Sequence, residues 1–190
     1  VASKVEIANR ALQLLGAKSI TSLTEDSRNA RSINLAYEPV KLAELRKHPW
    51  NFAIKRAQLA ASTTEPLFNR ENSFPLPSDC VRLLSPDPEV NFNDLDWQIE
   101  GRNIITDWDD PLDVRYIYDV TDPNEMDVLF RELLSSKLAM ELCEEITQSN
   151  SKKADAKAMY DEILAQAKKA NAIEKVAERP PEDEWITIRD

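Results

Sequence analysis

Glycine is almost missing from this chain. Only Gly16 and Gly101 occur in 190 residues. A phosphate-cradling loop or a dinucleotide fingerprint needs clustered glycines, so neither can be built here. Histidine occurs once, as His48, and cysteine twice, as Cys80 and Cys143. Two thiols and one imidazole do not make a specific zinc set. They give no disulfide framework either, and they fit a reducing compartment. No apolar run approaches the roughly 20 residues of a membrane-spanning helix. The opening stretch, Val1 to Gly16, is amphipathic and charged, unlike a signal peptide. These shortages point away from an enzyme, a cofactor or a metal, and toward a structural or binding role.

What the chain has is charge. Charged residues make up 31% and apolar ones 42%, a soluble globular composition sized for one domain with an appended arm. The formal charge is −10, which disfavours a bulk polyanion binder. It is unevenly spread. Residues 1–60 hold 10 basic and 5 acidic groups, residues 61–150 hold 6 and 20, and residues 151–190 hold 8 and 9. A split this sharp implies surfaces that face different surroundings.

The first helix is bracketed by its ends. Ser3 with Glu6 forms a capping box, and Gly16 accepts the left-handed conformation that stops a helix. Val5, Ala8, Leu12 and Leu15 share one face. Asp26 or Ser27 caps a second helix reaching about Lys47, with Ala30, Ile33, Tyr37 and Val40 as its stripe. Pro39 is expected to kink that helix or to start a second segment. His48-Pro49 ends it, and His48 reads as a structural residue at the helix C-terminus.

Phe52 to Leu59 reads as a strand or an extended arm. Proline then recurs at 66, 75, 77, 86, 88 and 111, which forbids long helices. Cys80–Leu84, Trp97–Glu100, Asn103–Thr106 and Val114–Val120 read as strands of one small antiparallel sheet. Gly101-Arg102 is its tight turn. Helix returns after Pro123, with a wide apolar stripe through Leu129, Phe130, Leu133, Leu134 and Leu138. A fourth helix, about Lys152 to Val176, forms a hairpin with it. The expected fold is α+β and mainly α: a bundle of about four helices, a small antiparallel β-domain inserted between its two helix pairs, and an extended C-terminal tail. The segments are 1–50, 51–121, 122–178 and 179–190.

Three features invite functional readings. Asp107, Asp109, Asp110 and Asp113 form the densest acidic cluster. A calcium loop would need a turn glycine where Pro111 stands and a glutamate where Tyr118 falls. A solvated hairpin loop, or an acidic surface facing DNA that slides past, remains. The basic first third suits a DNA-binding helix pair or salt contacts to an acidic surface. In a ring of identical subunits those contacts would place Arg28 and Arg31 at the subunit interface. Finally, Trp185-Ile186-Thr187-Ile188, followed by Arg189, is a β-prone apolar segment near the C-terminus. It packs on its own domain or adds to a partner.

Several segments stand in a telling order: Ile7 to Gly16, Ile20 to Asp26, Ser27 to Tyr37, His48-Pro49-Trp50-Asn51-Phe52-Ala53, Phe74 to Arg82, Trp97 to Ile105 and Val114 to Ile117. Together they resemble the tail tubular protein A family, the head-to-tail adaptors of short-tailed bacteriophages, across about residues 4–175. The resemblance implies a non-catalytic virion protein at the head–tail junction, assembled in the bacterial host cytoplasm. It implies a homo-oligomer, a twelvefold ring, with the portal protein above and a tail nozzle protein of the tubular protein B type below. Double-stranded DNA would pass through the lumen without sequence-specific binding, and no membrane is involved. The stretch from Pro180 lies outside the resemblance, and the portal is the expected partner of residues 185–189. The rival expectation is a helical nucleic-acid-binding protein that uses the basic N-terminal third.

Overall fold

Helix-ending residues fall where the sequence put them. In the computed structural model, which describes residues 2–84 and 97–174, α1 spans Lys4–Leu15. Ser3 Oγ accepts from Glu6 N–H at 3.1 Å, and Gly16 closes the helix at φ +69°. Ser27, rather than Asp26, caps α2, Arg28–Lys47. Pro39 does not start a second segment, one of the two outcomes expected for it; α2 runs through it. Pro39 and Leu35, one turn before it, both lie on the solvent side. The carbonyl that loses its donor therefore sits on a wet face, where water can replace the bond.

A single 3₁₀ turn, Asn51–Ala53, leads into β1, Ile54–Leu59. The remaining strands are β2 (Asn72–Pro75), β3 (Cys80–Leu83), β4 (Trp97–Glu100), β5 (Asn103–Thr106) and β6 (Leu112–Tyr118). The expectation of one sheet is wrong. The strands form two antiparallel three-stranded sheets, β1-β6-β3 and β2-β5-β4. Strand β2 was absent from the sequence reading. Pro75 is the last residue of β2, which lies at the sheet edge beside β5, where a missing donor costs little. Gly101, at φ +59°, opens the two-residue turn joining β4 and β5.

Strand β6 couples the two halves of the molecule. Its residues alternate between faces, as a strand must. Leu112, Val114 and Tyr116 face a small core between the sheets, with Phe74 and Ile104. Ile117 faces the helical core instead. That larger core is built on α3 (Val128–Thr147), which packs against α1, α2 and α4 (Asn150–Ile173). Small residues allow the close approaches. Ser135 is buried and its hydroxyl lies 3.1 Å from the Ile7 carbonyl of α1. Gln148 at φ +52° and the Ser149 cap reverse the chain between α3 and α4. The fold is thus α+β, with four helices and two small sheets. Among the described residues no helix is long and apolar enough to cross a membrane.

Phe130 has no exposed surface and meets Trp50 edge-on, centroids 5.2 Å apart, and Phe52 at 4.9 Å. Phe130→Ala is expected to cost about 3–5 kcal/mol in urea unfolding. Phe68→Ala, at a side chain that is 75% exposed, is expected to change stability by less than about 0.5 kcal/mol.

Candidate functional site

The basic first third is largely spent inside its own chain. Lys4 pairs with Glu38 (2.6 Å), Arg10 with Glu132 (2.6 Å), Lys47 with Glu44 (2.5 Å) and Lys55 with Asp79 (3.1 Å). Lys41 contacts Glu38 (2.6 Å) and Asp119 (2.7 Å). Arg28 reaches Glu145 and donates to its carbonyl at 2.8 Å, and Arg31 pairs with Asp26. Seven of the ten cations in residues 1–60 are therefore matched by carboxylates of the same chain. Lys18 and Arg56 have no ion pair among the described residues. Both Arg28 and Arg31 stay more than half exposed.

Two of these groups are fully buried on α2, and sequence reasoning passed over them. Lys41 and Glu44 each have no exposed surface. The signal was available: the stripe Ile33, Tyr37, Val40 continues to position 44 at helical spacing. Glu44 is well provided. Lys47 and Tyr160 both donate to its carboxylate, Tyr160 at 3.0 Å. Lys41 is less so. Its two ion contacts are close, but the angles at Lys41 Nζ and Asp119 Oδ1 miss hydrogen-bond geometry. Burial alone would push the Glu38 carboxyl up; Lys4 and Lys41 outweigh it and hold Glu38 below the usual carboxylate range. Burial likewise works against the Lys47 charge, and Glu44 and Tyr160 reverse the effect, raising it.

The segment His48–Ala53 fastens the junction of bundle and sheets. The Trp50 indole N–H donates to the Glu44 carbonyl at 3.0 Å. Asn51 and Asn171 exchange two bonds: Asn51 N–H to Asn171 Oδ1 (2.7 Å) and Asn51 Nδ2 to the Asn171 carbonyl (2.8 Å). His48 Nε2 lies 3.1 Å from Asn171 Nδ2, and its ring meets Trp50 edge-on. His48 is thus held by contacts within the fold.

The four aspartates do not form a hairpin loop. They lie between β5 and β6, which belong to different sheets, and Asp113 is already in β6. All four are exposed. Three of them pin neighbouring chain. Asp107 accepts from Arg70 Nη1 (2.7 Å) and Glu71 N–H (3.0 Å), Asp110 from Ala61 N–H (2.8 Å), and Asp113 from Gln58 Nε2 (3.0 Å). They clamp the loop of residues 60–71, whose tip displays Leu67 (96% exposed) and Phe68 (75% exposed). Among the described residues no group of three or more His, Cys, Asp or Glu could hold a metal ion.

Directly opposite the buried face of α2 runs a second stripe: Arg28, Arg31, Leu35, Pro39, Leu42 and Arg46, all exposed. Leu35 is 79% exposed and Leu42 36%. A groove of about 800 Å³ also runs between α1 and α3, but the Arg10–Glu132 pair already matches its charges. The expected anchor, Trp185, Ile186, Thr187, Ile188 and Arg189, lies outside the described residues. The structure thus brings together Arg28 and Arg31 on one face, and the four aspartates at the far end of the sheets. No protein-family model matches the chain, and a search of curated proteins finds no match.

Replacing Lys41 by Met removes a buried charge whose partners still reach water, so it is expected to be nearly neutral in urea unfolding. The double change Glu38→Gln, Asp119→Asn strands Lys41 and is expected to cost about 3–5 kcal/mol. A second expectation concerns pH. Burial is the chief cause that raises all four tyrosines: Tyr116 and Tyr118 to about 12, Tyr37 and Tyr160 upward as well. Hydrogen bonds to Asp79 and Glu125 add to the effect at Tyr116 and Tyr118. A group whose pKa is higher folded than unfolded stabilises the fold below its unfolded value, about 10. That stability is lost as pH rises toward 12. Phenolate absorbance is therefore expected to stay low past pH 10 and to appear together with loss of helical circular dichroism.

Proposed function

We propose that this chain is a structural subunit of a head-to-tail adaptor ring in a short-tailed bacteriophage. It joins the portal to the tail nozzle and lines the channel through which DNA is retained and ejected. The observation that carries the reading is that one small chain presents two unlike surfaces. One is an apolar helix face with arginines, on α2. The other is an acidic, apolar-tipped end of the β-unit. A cyclic ring repeats one heterologous contact, so each copy must offer two different patches. The ordered segments that resemble the tail tubular protein A family supply the identity of the ring.

Electrostatics support the same reading. A conduit for DNA gains nothing from tight phosphate contacts, since each adds friction to a moving polyanion. A net charge of −10, with most N-terminal cations already paired internally, suits such a wall. The same pairing weakens the case for a nucleic-acid-binding protein that uses residues 1–60. Residues 185–189 are proposed to reach the portal.

The test is co-sedimentation with the portal protein of the virus that encodes the chain, using the intact chain and a version ending at Arg179. The intact chain is expected to join the portal as a ring, and the shortened one to fail. Failure of the intact chain overturns the adaptor reading. Normal joining by the shortened chain overturns only the proposed role of residues 185–189.

A further inference from the structure

The outer face of α2 and the tip of the 60–71 loop are the two exposed apolar features that share a distinctive setting. On α2, Leu35, Pro39 and Leu42 form a continuous stripe opposite the core, with Ala43 exposed beside it. Single exposed leucines are ordinary; an apolar stripe at i, i+4, i+7 spacing on an exposed helix face is not. Its charges are not even along its length. At the N-terminal end Asp26 and Glu145 offset Arg31 and Arg28. At the C-terminal end Arg46 donates to the Val81 carbonyl (2.6 Å) and Arg82 to the Arg46 carbonyl (3.1 Å). Those partners are neutral, so among the described residues the positive charge beside Leu42 has no ion pair.

The loop tip has the opposite character. Leu67 and Phe68 are almost fully in water, yet the loop base is fastened. Ala61 is bound to Asp110, Glu71 and Arg70 to Asp107, and Ser62 N–H to the Ser73 carbonyl at 2.6 Å. Asn69 takes the left-handed conformation beside the tip, at φ +66°, which asparagine tolerates better than most residues. The loop and the segment that fastens its base, residues 60–72 and 107–113, carry Glu65, Glu71, Asp107, Asp109, Asp110 and Asp113 against one cation, Arg70. An apolar tip with an acidic rim thus meets its complement, an apolar stripe with a basic end, on the same chain.

We infer that the Leu67-Phe68 tip of one copy docks on the Leu35–Leu42 face of α2 of a second copy, with its acidic rim against Arg46 and Arg82. The contact is head-to-tail, so it leaves an unused tip on one copy and an unused face on the other. It propagates into a ring where the rotation closes and into an open chain where it does not. Complementary charge fixes the orientation, and the apolar pairing supplies most of the affinity. The inference deepens the adaptor reading and rests on it only for closure of the ring.

Two full-length chains, both carrying Cys80→Ser, test the contact. One bears L42C and the other F68C. Mixed at high concentration under mild oxidation, they are expected to form a disulfide-linked heterodimer faster than either forms a homodimer. Sedimentation velocity of the otherwise native chain is expected to show self-association that weakens in high salt. Phe68→Asp and Arg46→Glu are each expected to lower the association constant by about tenfold or more. Circular dichroism confirms that the variants are folded.

Absence of the mixed product, or a homodimer from the L42C chain alone, overturns the inference. So does a self-association that Phe68→Asp leaves unchanged. A face covered by the chain's own residues 175–190 would yield the mixed product only after their removal, which also overturns it. Duplex DNA retained through Arg46, without self-association, does the same. The two readings fail separately. A mixed product in a chain that never joins the portal keeps the contact and removes the adaptor. A portal-bound ring without the product keeps the adaptor and removes this contact.

Discussion

Burial of Phe130 against Trp50 and Phe52 is the constraint on which the rest of the structure depends. Phe130 stands in the first turn of α3, the helix that touches all three others. Trp50 and Phe52 belong to the short segment between α2 and β1. Setting Phe130 edge-on to Trp50 and tilted against Phe52 therefore fixes where the bundle ends and the β-unit begins. The polar bonds of the same segment follow that placement. The indole N–H of Trp50 finds the Glu44 carbonyl, and Asn51 can exchange bonds with Asn171 only when α4 lies alongside. Strand β6 adds the second tie, since Ile117 enters the helical core while its neighbours on the other face close the sheet core.

Helix α2 carries the most polar interior. A lysine and a glutamate, both fully buried, sit one turn apart on its inward face. Each is answered from a different element: Lys41 by Asp119, just after β6, and Glu44 by Tyr160 of α4. Such pairs seldom add much net stability, because desolvation offsets the attraction. They are intolerant of alternatives, however. An apolar stripe can slide by a turn against its neighbour, whereas a buried Lys41 displaced by a turn would keep only Glu38, which moves with it on α2, and would lose Asp119. The physical role we assign to these ions is to set the register of α2 against β6 and α4.

How much of this was legible in the sequence follows from how local each determinant is. Helix α1 was readable because Ser3 and Gly16 act within one turn of its ends. The β4–β5 hairpin was readable because Gly101 marks the turn. The division into two sheets was not readable. Strands β5 and β6 are consecutive, yet they part company, and only partners distant in sequence decide that. Strand β2 was not readable either, since its four residues, ending in Pro75, are too short to show a two-residue alternation. That Pro39 starts no second segment was not readable, because its effect depends on which side of the helix faces water. Among candidate site residues, Arg28, Arg31 and the aspartates were found by charge alone, but charge gave no partner. Leu67, Phe68, Leu35 and Leu42 were passed over because an exposed leucine and a buried one are the same letter. The phase of α2 held the hint, since Leu35 and Leu42 fall outside the stripe of Ile33, Tyr37 and Val40.

The internal pairing changes what the charge split means. Read along the chain, a basic third and an acidic middle suggest two subunits held by broad electrostatic attraction. In the fold, most of that attraction has been used within one copy, between α1, α2 and their neighbours. What is left over among the described residues is narrow: Arg46 and Arg82 with neutral partners, and an excess of carboxylates in one loop and the segment that fastens it. Exposed ion pairs contribute little each, and salt screens them. A contact resting on the residual charge alone would be weak, so its strength must come from apolar surface. That surface is present beside each charge excess and is limited to a few side chains. Such an arrangement suits the adaptor ring proposed above, in which one contact would repeat around the ring. Each single contact is modest, and closure of a ring multiplies it, because the last subunit gains two contacts for one loss of translational freedom.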